Sequence, residues 1–251
     1  MDSAELSRTA FFFDFDGTLS AIGPDPEKVR PVPDAPEALA ELAGRGGYCA
    51  VVSARPVAFL ARQLRAVPGI ALHGLYGLEY SADGGATVTT LPAAAPYRPV
   101  IDEAARAAAA QLPGALIEHK GLSCAVHFRN TPELAEAAES WAAGYAKEHG
   151  LKVQRGRMVV ELKPPVERDK GHVVREALDE RPGLAGGWFF GDDLGDRPAF
   201  AALAERAGRD PGFKAMRVAV ANPEGDPLAD LADLMLDGPD EVPELVRRLL
   251  R

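Results

Sequence analysis

The stretch Phe11-Phe12-Phe13-Asp14-Phe15-Asp16-Gly17-Thr18-Leu19 sets two carboxylates, one residue apart, at the end of an apolar run. The run reads as a short, buried parallel strand. Successive strand side chains alternate faces, so Asp14 and Asp16 share one while the chain stays extended, and Gly17 then lets it turn. In open α/β sheets, ligands collect just beyond the carboxyl ends of the strands. Two acids in that position are costly unless a cation compensates them. The pattern points to a magnesium-dependent phosphoryl-transfer site, although on spacing alone a D-x-D also suits a solvated turn.

Three later segments carry complementary chemistry. In Tyr48-Cys49-Ala50-Val51-Val52-Ser53-Ala54-Arg55-Pro56 a second apolar strand ends in a hydroxyl. Ser53 there can hydrogen-bond a phosphoryl oxygen or cap the helix that Pro56 opens. In Arg168-Asp169-Lys170-Gly171, Lys170 falls at a helix start, where a basic residue opposes the macrodipole. A nearby anion accounts for it, as does plain solvation. Trp188-Phe189-Phe190-Gly191-Asp192-Asp193-Leu194-Gly195-Asp196 is a third apolar strand ending in acids. Three Asp so close exceed the needs of one helix cap and suit a hard cation with oxygen ligands.

The first segment resembles the D-x-D-G-T motif of the haloacid dehalogenase superfamily, and the other three follow in that superfamily's order. The resemblance implies that Asp14 attacks phosphorus to form an aspartyl-phosphate, while Asp16 protonates the leaving alkoxide and then takes a proton from water. It implies Mg2+ held by Asp14, the backbone carbonyl of Asp16 and Asp192, with Asp193 and Asp196 tuning the site. Ser53 and Lys170 would bind the remaining phosphoryl oxygens. Further runs resemble trehalose-6-phosphate phosphatases: His73-Gly74-Leu75-Tyr76-Gly77-Leu78-Glu79, Lys120-Gly121-Leu122-Ser123-Cys124-Ala125-Val126-His127-Phe128-Arg129 and Val160-Glu161-Leu162-Lys163-Pro164. That family implies hydrolysis of trehalose 6-phosphate in trehalose biosynthesis. The substrate-contact candidates are then Arg55, Glu79, Lys120, His127, Arg129, Glu161 and Lys163, with hinge geometry a second role for Glu79. Rivals are the same chemistry on sucrose 6-phosphate or mannosylglycerate phosphate, and a catalytically silent regulatory subunit. Gly195 and Arg197 depart from the family's G-D-D-x-T-D-E-D, Ala54 replaces a common Gly, and Lys163 stands where Arg is frequent.

Positioning these groups calls for an α/β fold, a doubly wound parallel sheet with an inserted α+β cap domain. Strands are expected near 10–14, 48–52, 70–73, 187–191, 216–220 and 234–236, alternating with helices near 34–44, 56–66, 170–179 and 197–205. Between them, helix-strand-strand occurs twice, giving a core of 1–97 and 164–251 and a cap of 98–163. A chain of 251 residues, 47% hydrophobic, can bury a large core. Its formal charge of −9 argues against nucleic-acid and acidic-membrane partners, and it means that an anionic substrate must be attracted by local magnesium and basic residues. Cys49 and Cys124 sit in apolar runs and read as reduced core residues. With neither a signal-peptide pattern nor a membrane-length apolar run, the expectation is a cytoplasmic monomer or weak oligomer.

Overall fold

The chain begins with α1 (Ser3–Leu6), β1 (Thr9–Phe13), α2 (Ala35–Ala43), β2 (Tyr48–Val52), α3 (Val57–Gln63), β3 (Ala71–Gly74), β4 (Glu79–Ser81) and β5 (Thr89–Thr90). There follow α4 (Arg98–Gln111), β6 (Leu116–His119), β7 (Cys124–His127), α5 (Ala135–His149), β8 (Lys152–Gly156) and β9 (Val159–Lys163). It ends with α6 (Lys170–Asp179), β10 (Gly186–Gly191), α7 (Arg197–Arg209), β11 (Lys214–Val220), β12 (Leu234–Leu236) and α8 (Glu241–Leu250). The structure is a computed structural model describing residues 1–23, 26–65, 67–156, 158–223 and 225–251. Ala66, the last residue of the expected helix 56–66, lies outside the described residues.

Two compact units result: Met1–Thr89 with Arg168–Arg251, and Thr90–Glu167. In the first, the sheet order is β12-β11-β10-β1-β2-β3-β4-β5, parallel from β12 to β3 and antiparallel between β3 and β4. β1 is buried on both faces, which is why it reads as an unbroken apolar run. Phe11 and Phe13 join Cys49, Val51 and Phe190 in a core with residues of α2, α3 and α8. Ala10 and Phe12 join Ala50, Val52 and Phe189 in a second core under α6 and α7. Helices therefore cover both faces, and the chain winds outward from β1 in both directions, leaving a crevice at the strand ends. Sequence reading missed α8, whose Val242, Leu245, Val246 and Leu250 recur at helical spacing, and the short edge strands β4 and β5.

The second unit has a four-stranded antiparallel sheet of order β6-β7-β9-β8. Cys124, Val126, Val160 and Leu162 pack on one face against Ile101, Ala104 and Ala108 of α4 and Ala138 and Ala142 of α5. The alanines let both helices approach closely, and their propensity favours helix besides. The register aligns Glu118, Ala125, Glu161 and Gln154 across the other face. The expected cap edges at 98 and 163 fall inside this unit. Both cysteines are free and buried, and among the described residues no helix is long and apolar enough to cross a membrane.

Candidate active site

Register sets the acids side by side. Phe13 pairs with Phe190 and with Val51, so Asp14, Asp192 and Ser53 all emerge at the carboxyl ends of three adjacent strands. The Asp14 N–H still donates to the Phe190 carbonyl at 2.9 Å, which extends the ladder one residue into the site. Gly17 then turns with φ of 82°, and a Cβ there would overlap the Asp192 carboxylate. Only glycine satisfies both demands.

Lys170 opens α6 behind Asp169, whose side chain caps the helix by accepting the His172 N–H. Its Nζ lies 2.7 Å from Asp14 Oδ1 and 2.6 Å from Asp196 Oδ1, and all three side chains are buried. Asp196 Oδ2 accepts the N–H groups of Asp192 (2.9 Å) and Asp193 (3.2 Å), closing the loop after β10. Asp192 is held by Asn222 Nδ2 at 2.6 Å, with Thr18 Oγ1 at 3.4 Å. The Thr18 and Asn222 contacts escape sequence reasoning, although Asn222 follows an apolar strand as the motif acids do.

The electrostatics show a deficit of positive charge. Burial, with Asp196 and Asp192 nearby, pushes the Asp14 carboxyl well above its usual range against the pull of Lys170. Asp192 is raised to about 7 by burial and by Asp196 and Asp193, and Asp196 is raised chiefly by burial. Burial works to lower the Lys170 pKa, but Asp14, Asp196 and Asp193 outweigh it and hold that ammonium well above its usual value. One ammonium thus faces three buried carboxylates, each offering an oxygen within 4.8 Å of the others. An all-oxygen donor set with excess negative charge fits a hard divalent cation.

Asp16 and Asp193, also expected near the metal, fall outside that cluster. Asp16 is clasped by Arg55, whose Nε and Nη2 each donate at 2.8 Å, and Arg55 lies over the Phe59 ring at 4.5 Å. This fork is the planar pairing that arginine makes best. Asp193 is exposed and accepts the Gly195 N–H in a capping turn. Gly195, a departure from the family pattern, thereby supplies the amide that Asp193 caps. Ser53 is buried and its Oγ accepts the Arg55 N–H at 3.1 Å, which leaves its own O–H as a donor. Glu79 is buried and accepts the Val57 N–H at 2.9 Å at the start of α3.

In the second unit, the polar sheet face gathers most of the remaining candidates. Lys120 Nζ lies 3.3 Å from Glu161 and 3.6 Å from Glu118; Ser123 Oγ donates to Glu161 at 2.6 Å. His127 Nε2 meets Glu118 at 2.9 Å, and Lys163 Nζ donates to Gln154 at 2.6 Å. Burial holds the Lys163 ammonium below its usual pKa. Arg129 is exposed past the end of β7. Glu118, Ser123 and Gln154 were not singled out from sequence; their alternation with apolar neighbours was the available signal.

A doubly wound sheet of this order, with acids at the ends of β1 and β10, has the fold of haloacid dehalogenase-like hydrolases. Such a hydrolase from Bacteroides thetaiotaomicron superposes with a TM-score of 0.65 at 18% identity, over 96% of this chain and 99% of the other. A solved "trehalose-6-phosphate phosphatase related protein" gives a TM-score of 0.77 at 22% identity over 96% of each chain. The family model described as trehalose-phosphatase matches residues 12–231, and the chain belongs to that family. A trehalose-phosphate phosphatase of Mycobacterium marinum is 35% identical over 258 residues, covering 99% of this chain and 63% of that protein. The chain thus spans less than two thirds of the length of that curated relative.

Proposed function

We propose that the chain is a magnesium-dependent phosphatase that hydrolyses trehalose 6-phosphate to trehalose and phosphate, the last step of trehalose synthesis. The observation that carries this reading is the buried Asp14–Lys170–Asp196 chain beside Asp192, within a member of the trehalose-phosphatase family. Asp14, Asp192 and the Asp16 carbonyl would hold Mg2+; Asp196 is engaged by Lys170 and two backbone amides. When bound, the ion offsets the charge of the phosphoryl oxygens and of the clustered carboxylates.

Asp14 attacks phosphorus as the bond from phosphorus to the sugar oxygen breaks, giving an aspartyl-phosphate. Asp16 transfers a proton to that departing oxygen, then accepts one from the water that attacks phosphorus and frees Asp14 and inorganic phosphate. The Ser53 O–H and the Lys170 ammonium donate to phosphoryl oxygens. Arg55 fixes where the Asp16 carboxyl points. Glu118, Lys120, Ser123, Glu161 and Lys163 supply the alternating donors and acceptors that sugar hydroxyls require.

The test is phosphate release with Mg2+ from trehalose 6-phosphate beside glucose 6-phosphate, sucrose 6-phosphate and mannosylglycerate phosphate, with Asp14→Asn as control. Preference for trehalose 6-phosphate, lost in the control, supports the whole reading. Preference for another ester keeps the chemistry and removes the substrate.

A further inference from the structure

Leu75, Tyr76 and Gly77 in the first unit hold positive φ in succession, at 50°, 59° and 86°. Two of them are bulky residues in a region that favours glycine. Strain of this kind persists only where the surroundings over-determine it. Here the Leu75 N–H donates to the Arg55 carbonyl and the Tyr76 N–H to the Ser53 carbonyl, each at 3.0 Å. Gly74 lies so close to the Arg55 carbonyl and the Val57 amide that a Cβ would overlap both. On the other side, Arg168 Nε donates to the Gly77 carbonyl at 2.9 Å, two residues before Lys170.

Glu79 completes the enclosure. At 7% exposure it accepts the Val57 N–H, one of the amides left without an intrahelical partner at the start of α3. The turn and Glu79 therefore bind the loop from Ser53 to Val57 through carbonyls and an amide, while the loop's side chains reach the phosphoryl site and Asp16. A plain helix cap needs only the Val57 contact. It does not account for two further bonds to the carbonyls of Ser53 and Arg55.

We propose that Glu79 and the left-handed Leu75–Gly77 turn form a brace that keeps Arg55 aligned on Asp16, making Glu79 a positioning residue for proton transfer. The inference rests on the acid–base role given to Asp16 above. A loosened brace lets the Asp16–Arg55 fork drift, and small misplacements of a proton donor slow its transfer steeply. The penalty is selective. A sugar alkoxide needs the proton to leave, whereas 4-nitrophenolate departs without one.

Glu79→Gln tests this in the full chain, because it replaces a carboxylate acceptor with a weaker amide one of the same size. With Mg2+, kcat/KM on trehalose 6-phosphate is expected to fall about tenfold, that on 4-nitrophenyl phosphate by less than about threefold, with KM for the sugar ester nearly unchanged. Val57→Pro removes the same bond from the donor side, and Pro56 already has the extended backbone (ψ 152°) that a following proline requires. It is expected to show the same selectivity if Glu79→Gln folds poorly. Equal losses on both esters with a lowered Tm make Glu79 a structural cap. A raised KM with kcat intact makes it a sugar contact. Either result overturns the brace. If the unsubstituted chain cleaves a different sugar phosphate, the substrate reading fails alone and the same ratio on that ester decides the brace. Cleavage of no alkyl ester overturns both.

Discussion

Replacing Lys170 by Met keeps most of the buried stem and removes the one ammonium between Asp14 and Asp196. Truncating one partner of a buried, hydrogen-bonded ion pair costs about 3–5 kcal/mol, because the remaining charge stays desolvated. For a chain of this size that corresponds to a fall in Tm of roughly 6–20 °C. The pH dependence is the sharper test. Both carboxyls already have raised folded-state pKa values, and loss of the lysine raises them further. A carboxyl raised on folding contributes its full stability below its unfolded pKa and loses it as pH climbs towards the folded value. The deficit of Lys170→Met should therefore be smallest at acid pH and widen as pH rises. Thermal unfolding followed by circular dichroism in EDTA, at several pH values, measures it. A gap that is constant, or that narrows as pH rises, refutes the coupling of Lys170 to these two acids.

Four further outcomes follow. Burial raises Asp192 to about 7 and raises Asp14 as well, so Mg2+ must displace protons below that pH; apparent affinity measured by calorimetry should fall by about tenfold or more per pH unit as pH drops below 7. Without Mg2+, the stability that the raised Asp192 carboxyl contributes is lost as pH rises through about 7. Gly17→Ala forces a side chain onto positive φ and into the Asp192 carboxylate, and should lower kcat by more than about a hundredfold while weakening Mg2+ binding. Glu161→Gln, in the polar face of the second unit, should raise KM for trehalose 6-phosphate roughly 5–30-fold, about 1–2 kcal/mol of binding, with kcat within about twofold in steady-state assays.

How much of this was legible depended on how local the signal was. Asp14, Ser53, Lys170 and Asp192 each lie within a residue or two of a strand end or helix start, so apolar runs located them. Their partners were not legible, because partnership depends on register between distant segments. Nothing in Arg55 announces that it will clasp Asp16, 39 positions away, nor in Lys170 that Asp196 will hold its far side. The five acids expected around the metal could not be ranked until the turn after β10 was seen to use Asp193 and Asp196 as caps. Glu79 is the clearest case: the motif marked it, but only the strained turn beside it gives it a job.

The central claim is that Asp14 carries the phosphoryl group. The Asp16→Asn chain, mixed with 4-nitrophenyl phosphate (whose leaving group departs without a proton) and Mg2+ and quenched in acid, can be digested and read by mass spectrometry. One added phosphoryl mass is expected on the peptide holding Asp14, absent when Asp14→Asn is added to the same chain. Phosphate release without that adduct, or the adduct on Asp192 instead, contradicts it.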